Sequence, residues 1–250
     1  MSVDRNDPVR RITPFKESEW QDSEKAESYL NQADVLIQER PMLLSLLRIF
    51  YVQMIKPRAT ARVLDLGCGD GILGETLKEL EPEIKLTAWD GSEVMLNAAK
   101  KRLSSWSNVE FRQIDFNELI KSTDLKSTYD LVVSAFAIHH ASHHEKRGLF
   151  AQIHQLLKSG GFFINIDTAL ANNASYDRFY DEIWRVWLRK QQEILNLDLS
   201  ILELPEKAKV KPENKYEPIS VQLCFLEEVG FQDVECFYKQ GLFTMFGGRK

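Results

Sequence analysis

The sequence predicts an α/β fold built on a doubly wound sheet, and three observations carry the prediction. A buried strand runs into a glycine turn at Val63-Leu64-Asp65-Leu66-Gly67-Cys68-Gly69-Asp70-Gly71. Further on, short apolar runs alternate with segments of helical period as far as residue 167. Two last runs, 231–238 and 241–248, face each other across a tight turn as a hairpin. Strands separated by helices pair in parallel through right-handed crossovers, whereas a hairpin contributes an antiparallel pair.

Taken in order, residues 1–18 read as a flexible N-terminus and 19–57 as a helical cap, with one helix from Trp20 to about Gln38, a break at Pro41, and a second helix. The second helix is built on Met42, Leu43, Leu46, Leu47, Phe50 and Tyr51. Residues 58–250 form the main domain. In it the first strand meets the glycine turn, and 72–80 is the first helix. A second strand, 84–89, ends at Asp90, and Ser92 is placed to cap a helix through Leu103. The third strand, 109–114, is followed by Asp115 and Phe116, and the fourth, 129–134, by Ala135 to His140. Gly160-Gly161 is expected to turn the chain into the fifth strand, 162–167. An insertion, 172–218, then carries an amphipathic helix over 175–195, a second helix over 196–210 and a mobile loop over 209–217. In the first of these helices Tyr176, Phe179, Tyr180, Ile183, Trp184 and Trp187 recur at three- and four-residue steps, a stripe that core packing explains, while Trp184 with Trp187 could also form an apolar lid or a homodimer face.

The chemistry is concentrated in the glycine turn, which lies where open α/β sheets bind ligands. Glycines at alternate positions remove the β-carbons where the backbone must bend and approach a ligand. A dinucleotide site has the spacing G-x-G-x-x-G; here it is G-x-G-x-G, and Asp65 in the strand repels a pyrophosphate and calls for a cationic ligand. Cys68 is a small filler of the turn rather than a reactive thiol. Asp90, about 20 residues beyond the turn, can grip both hydroxyls of a ribose, a feature shared with NAD enzymes.

In this form the segment resembles the first motif of the class I S-adenosylmethionine (SAM) dependent methyltransferases, and the later elements follow at the intervals of that family. The resemblance implies a Rossmann-like, seven-stranded doubly wound sheet with an antiparallel terminal strand, helical N-terminal and inserted caps, and SAM as cofactor with S-adenosylhomocysteine (SAH) as product. It places the SAM ammonium at Asp65 and the turn Gly67, Cys68 and Gly69, and the ribose at Asp90 beside Gly91 and Met95. It places the adenine at Asp115 and Phe116, cofactor contacts at Ser134 and Ala135, and the meeting of SAM and acceptor over the loop Ala135 to His140 after the fourth strand. In the family it resembles, an arginine from the leading helices can reach the SAM carboxylate, which makes Arg40, at the break between those helices, the candidate, the other reading being an exposed surface arginine. Carboxy-SAM synthase, a relative with similar leading helices and insertion, is the alternative within the fold. Its arginine for the extra carboxylate falls where this chain has Tyr216-Glu217-Pro218-Ile219-Ser220. A non-catalytic SAM-binding scaffold is the alternative outside enzymology.

All five histidines lie between the fourth strand and the end of the next helix. His139 and His140 are the candidate general bases, since an imidazole can take a proton from an acceptor hydroxyl or amine. Neither pair at four-residue spacing carries the interposed acid of a zinc motif, so no metal is expected. A net charge of -5 argues against a general nucleic-acid surface. The apolar run 42–55 is interrupted by Arg48 and too short for a membrane span. The first residues have no apolar core of a signal peptide, and the three cysteines suggest neither a disulfide framework nor metal spacing, so the cytoplasm is the expected location. A small-molecule acceptor is expected, flat or lipophilic from the aromatics of the insertion. No Asn-Pro-Pro-Tyr type segment follows the fourth strand, which argues against methylation of base or glutamine amino groups.

Overall fold

The computed structural model describes residues 19–56, 60–123 and 125–250, so the segment expected to be flexible, 1–18, lies outside the described residues. Five parallel strands form the centre: β1 (Arg62–Leu66), β2 (Lys85–Asp90), β3 (Val109–Gln113), β4 (Tyr129–Ala135) and β5 (Leu157–Thr168). They are joined by β6 (Gln232–Gln240) and β7 (Phe243–Arg249) in the order β3-β2-β1-β4-β5-β7-β6, and β7 alone runs antiparallel to the others. The sheet order reverses beside β1, which sets the crevice at the carboxyl ends of β1 and β4.

Period-two alternation decides which residues enter which layer. Val63, Leu131, Val133 and Ile164 point to one face, where they meet the helices α2 (Arg40–Phe50) and α3 (Ile72–Leu80) through Leu43, Leu47, Leu73 and Leu77. Leu64, Leu66, Val132 and Phe163 point to the other, against α6 (His143–Leu156) and α9 (Ile219–Glu228) through Leu149, Phe150, Ile153 and Leu226. Each fully buried aliphatic side chain of this kind contributes about 1.5–3 kcal/mol, so the two apolar layers are the main source of stability. The helices begin where the sequence provides acceptors for free N–H groups. Asp22 caps α1 (Ser23–Leu36), Ser92 caps α4 (Glu93–Arg102), and Asp115 and Ser142 form capping boxes with Glu118 and Glu145 at α5 (Phe116–Lys121) and α6.

Several boundaries differ from the sequence expectation, each for a local reason. The break between α1 and α2 comes at residues 37–39, with Glu39 in the left-handed region at φ 57°, and Pro41 sits in the first turn of α2, where its missing N–H costs nothing. Gly160 and Gly161 do not precede the fifth strand but lie inside it. Pairing jumps from Tyr129↔Leu157 to Leu131↔Phe162, and a β-carbon on Gly161 would stand 2.9 Å from the Lys158 carbonyl oxygen. In the insertion, the helix expected from Ser175 starts as a 3-10 turn at Ala174–Tyr176 before α7 (Asp177–Leu195). The helix expected over 196–210 is split: Asn196 ends α7 at φ 51°, a 3-10 turn spans Leu199–Glu203, and α8 occupies Leu204–Val210. The loop that follows α8 is anchored: the Lys215 N–H donates to the His139 carbonyl at 2.7 Å, and the Leu170 N–H donates to that of Glu217 at 3.0 Å.

Candidate active site

A cavity of about 730 Å³ opens at the carboxyl edge of β1, β2 and β4. Its floor is the glycine turn; its cover is made by α1, α2 and the stretch from α7 to Glu217. Of the residues singled out from the sequence, Arg40, Asp65, Gly67, Cys68, Gly69, Asp90, Gly91, Met95, Asp115, Phe116, Ala135 and His140 line it. Ser134 and His139 do not. Alternation along β4 turns Ser134 away from the side that Ala135 presents, and its hydroxyl is fully buried without a hydrogen-bond partner.

At the glycine-turn end the acids are held by backbone donors. Asp65 is 1% exposed; its Oδ2 accepts from the Gly74 N–H at 3.2 Å, while Oδ1 is buried with no partner. Burial pushes its pKa up to about 8, so the ligand-free site holds a proton that a cation would displace. Asp90 accepts from the Ser92 N–H at 2.8 Å and the Gly69 N–H at 2.9 Å, and burial raises its pKa despite those bonds. Asp115 spends one oxygen capping α5, accepting from the Glu118 N–H at 2.8 Å. The two glycines differ. A β-carbon on Gly67 (φ 66°) would lie 2.5 Å from that of Ala137, so Gly67 is required by packing. On Gly69 (φ 53°) a β-carbon would meet nothing within 4 Å, so the open space there belongs to the cavity.

At the cap end the ring centre of Trp20 lies 5.1 Å from that of Tyr29 and 5.4 Å from that of His140, and Tyr216, Phe136 and Asp177 also line the cavity. Arg40 also lines the cavity, ion-paired to Asp34 at 2.6 Å. His140 Nδ1 stands 3.2 Å from the Glu213 carbonyl, which can only accept, so Nδ1 carries the proton and the lone pair is on Nε2. Nε2 is buried and has no partner. Burial, then the neighbouring His139 and lysines, hold the His140 pKa well below its usual range, so the ring is neutral. His139 instead points inward: Nδ1 is 2.6 Å from Asp167 Oδ1 and its backbone N–H donates to Oδ2 at 3.0 Å, with its ring centre 4.0 Å from that of His140. The pair therefore divides into one residue that faces the cavity and one that fixes the turn beneath it.

Trp20, Tyr29, Asp177 and Tyr216 are wall residues that the sequence reading did not single out, whereas Phe136 belongs to the loop after the fourth strand that it did. Tyr29, whose hydroxyl is pushed up to about 12 by burial, belongs to the leading helix. Trp20 is anchored beyond β2, where its carbonyl accepts from the Ser92 hydroxyl and its neighbour Gln21 donates to the Gly91 carbonyl at 3.2 Å, and from there its ring packs on Tyr29 and His140. Phe136 has a positive φ of 50°, rare for an aromatic residue and typical of a strained functional turn; no pattern in the sequence signals it. The site suits SAM by its own chemistry: an orphaned buried carboxylate oxygen for an ammonium, an open cradle at Gly69, and an acid at the end of β2.

Residues 64–163 match a family model described as a methyltransferase domain. Over 213 residues the chain is 28% identical to the carboxy-S-adenosyl-L-methionine synthase of Helicobacter pylori (strain HPAG1), covering 83% of this chain and 84% of that one. An O-methyltransferase family protein from Burkholderia thailandensis has a similar structure, with a TM-score of 0.65 at 16% identity over 94% of this chain and 62% of that one. Human N-acetylserotonin methyltransferase in complex with SAM gives 0.59 at 18% identity over 98% and 60%. The chain thus spans less than two thirds of these two structures, and at such identities the likeness is one of fold. No helix among the described residues is long and apolar enough to cross a membrane.

Proposed function

We propose, starting from the chain's membership of the class I SAM-dependent methyltransferase superfamily, that the cavity holds SAM along its glycine-turn end and a small-molecule acceptor at its cap end. The observation that carries this is the buried, unpartnered Oδ1 of Asp65 beside the open cradle at Gly69. Asp65 would take the ammonium, Asp90 the ribose hydroxyls, Asp115 and Phe116 the adenine, and Arg40 the carboxylate through donors not used by Asp34. When bound, SAM supplies a methyl carbon on a cationic sulfur: the acceptor's lone pair forms the new bond as the carbon–sulfur bond breaks, its electrons leaving on neutral SAH. The protein's part is positioning and exclusion of water. His140 Nε2 accepts the proton of an acceptor that must lose one, and His139 with Asp167 sets the ring that does so.

Titration calorimetry with SAH, and mass spectrometry of whatever co-purifies, test the reading; absence of SAH binding defeats it. A second reading, an enzyme that modifies SAM itself as a carboxy-SAM synthase does, draws support from the similarity over 83% of the chain. Product mass separates the two. Apolar residues exposed on α7, Phe179, Val186 and Ile194, support a homodimer face, which light scattering would test. Three free cysteines fit a reducing compartment such as the cytoplasm.

A further inference from the structure

The cap end of the cavity has an uneven supply of hydrogen-bonding groups. Two acceptor atoms of lining residues are buried and without a hydrogen-bond partner: His140 Nε2 and Oδ1 of Asp177, the first residue of α7, whose backbone carbonyl accepts from the Lys209 ammonium at 3.5 Å. The cations that line the cavity are all engaged. Arg40 pairs with Asp34 at 2.6 Å, Lys209 with Asp181 at 2.6 Å, and the Lys215 ammonium donates to the Pro212 carbonyl. Glu213 and Glu217 add two more carboxylates to the same wall. A buried acceptor without a donor costs about 1–3 kcal/mol, more when charged, so the molecule that fits this end is one that brings donors. An anionic acceptor would meet the carboxylates of Asp177, Glu213 and Glu217 in the wall.

We infer that the methyl acceptor is an aromatic amine-bearing molecule whose ammonium seats on Asp177 while a second group, N–H or O–H, presents its proton to His140 Nε2. The ring has walls to lie against in Trp20, Tyr29 and Tyr216. This rests on the methyltransferase reading and deepens it, and it disfavours the acquisition of a carboxylate at this end. Asp177 is then a specificity residue, outside the set assigned to the cofactor.

The test is calorimetric, on the full chain saturated with SAH at neutral pH, with three probes sharing one ring: tyramine (cationic), 4-ethylphenol (neutral) and 3-(4-hydroxyphenyl)propionate (anionic). Tyramine should bind about tenfold tighter than 4-ethylphenol, and the propionate weakest. Asp177→Asn should remove the tyramine advantage without altering SAH affinity, and Asp177→Glu, which keeps the charge, should retain part of it. The inference is overturned if the propionate equals or exceeds tyramine, if the advantage survives Asp177→Asn, or if none of the probes binds to protein that does bind SAH. Failure of SAH itself to bind would instead remove the methyltransferase reading underneath.

Discussion

At the glycine-turn end of the cavity the acids are held by groups close to them in sequence, whereas the cap end is held by contacts between segments far apart. Asp65 is fixed by the Gly74 N–H, Asp90 by that of Ser92 and Asp115 by that of Glu118, each within nine residues, and only Gly69 reaches Asp90 from farther off, across 21 residues. The cap depends on Trp184 and Trp187 of α7, whose indole N–H groups donate to the carbonyls of Leu36 and Val35 at 2.9 and 2.8 Å, across 148 and 152 residues. Those carbonyls are orphans at the end of α1, so the inserted helix completes the leading one. One end is a local motif on a rigid sheet. The other is an assembly that can be loosened without touching the first.

The sharpest way to break this contrast is Asp65→Asn. If the carboxylate meets an ammonium, its loss should cost SAH about 3–5 kcal/mol by calorimetry, the range for a buried charge left without its partner; affinity within a few-fold of the parent would remove the assignment. The same residue gives a pH signature. Its native pKa of about 8 lies above the ordinary value of about 3.9, so between these the native state keeps a proton the unfolded chain has lost. Stability of the ligand-free protein should therefore fall as pH rises through that window, and the Asp65→Asn variant should lack the slope in denaturant titrations. SAH binding below the upper limit should release a proton, visible as a buffer-dependent enthalpy.

Asp90→Ala should weaken SAH by about 1.5–3 kcal/mol, the worth of charged hydrogen bonds to a ribose; unchanged affinity would place the ribose elsewhere. The two turn glycines should then separate packing from binding. Alanine at either costs about 1–2 kcal/mol for its left-handed backbone. Gly67→Ala, which also collides with Ala137, should lower the melting temperature more, while Gly69→Ala should lose more SAH affinity because its methyl enters the cavity. The smallest effect belongs to the cap. Trp184→Phe and Trp187→Phe should each cost about 0.5–1.5 kcal/mol and speed hydrogen exchange in α1, with SAH affinity unmoved. A matching loss of SAH affinity would show the two ends to be one unit.

The same contrast explains what could be read from the sequence. Asp65, Gly67, Gly69, Asp90 and Asp115 were legible because a strand end fixes its own last residues and the helix start that follows them. Arg40 was legible as a residue at a helix break, although the break itself comes from the left-handed Glu39 rather than from Pro41. The histidine pair was recognised, but its division of labour was not: only the fold places Asp167 beneath His139 and the Glu213 carbonyl beside His140. Trp20, Tyr29 and Tyr216 were hidden for the same reason, since their arrival at one cavity depends on how three distant segments meet. Ser134 shows the converse, a residue at the right address whose side chain alternation sends to the wrong side.

The strand order β5-β7-β6 carries a consequence for how the sheet is completed. β6 comes first along the chain yet touches the sheet only through β7, which reaches β5 so closely that a β-carbon on Gly247 would stand 1.9 Å from the Phe163 carbonyl oxygen. A lone β6 has no ladder to join. β6 can therefore enter the sheet only once β7 is in place or together with it, and the left-handed Gly241 that joins the two strands makes this edge of the domain depend on one turn.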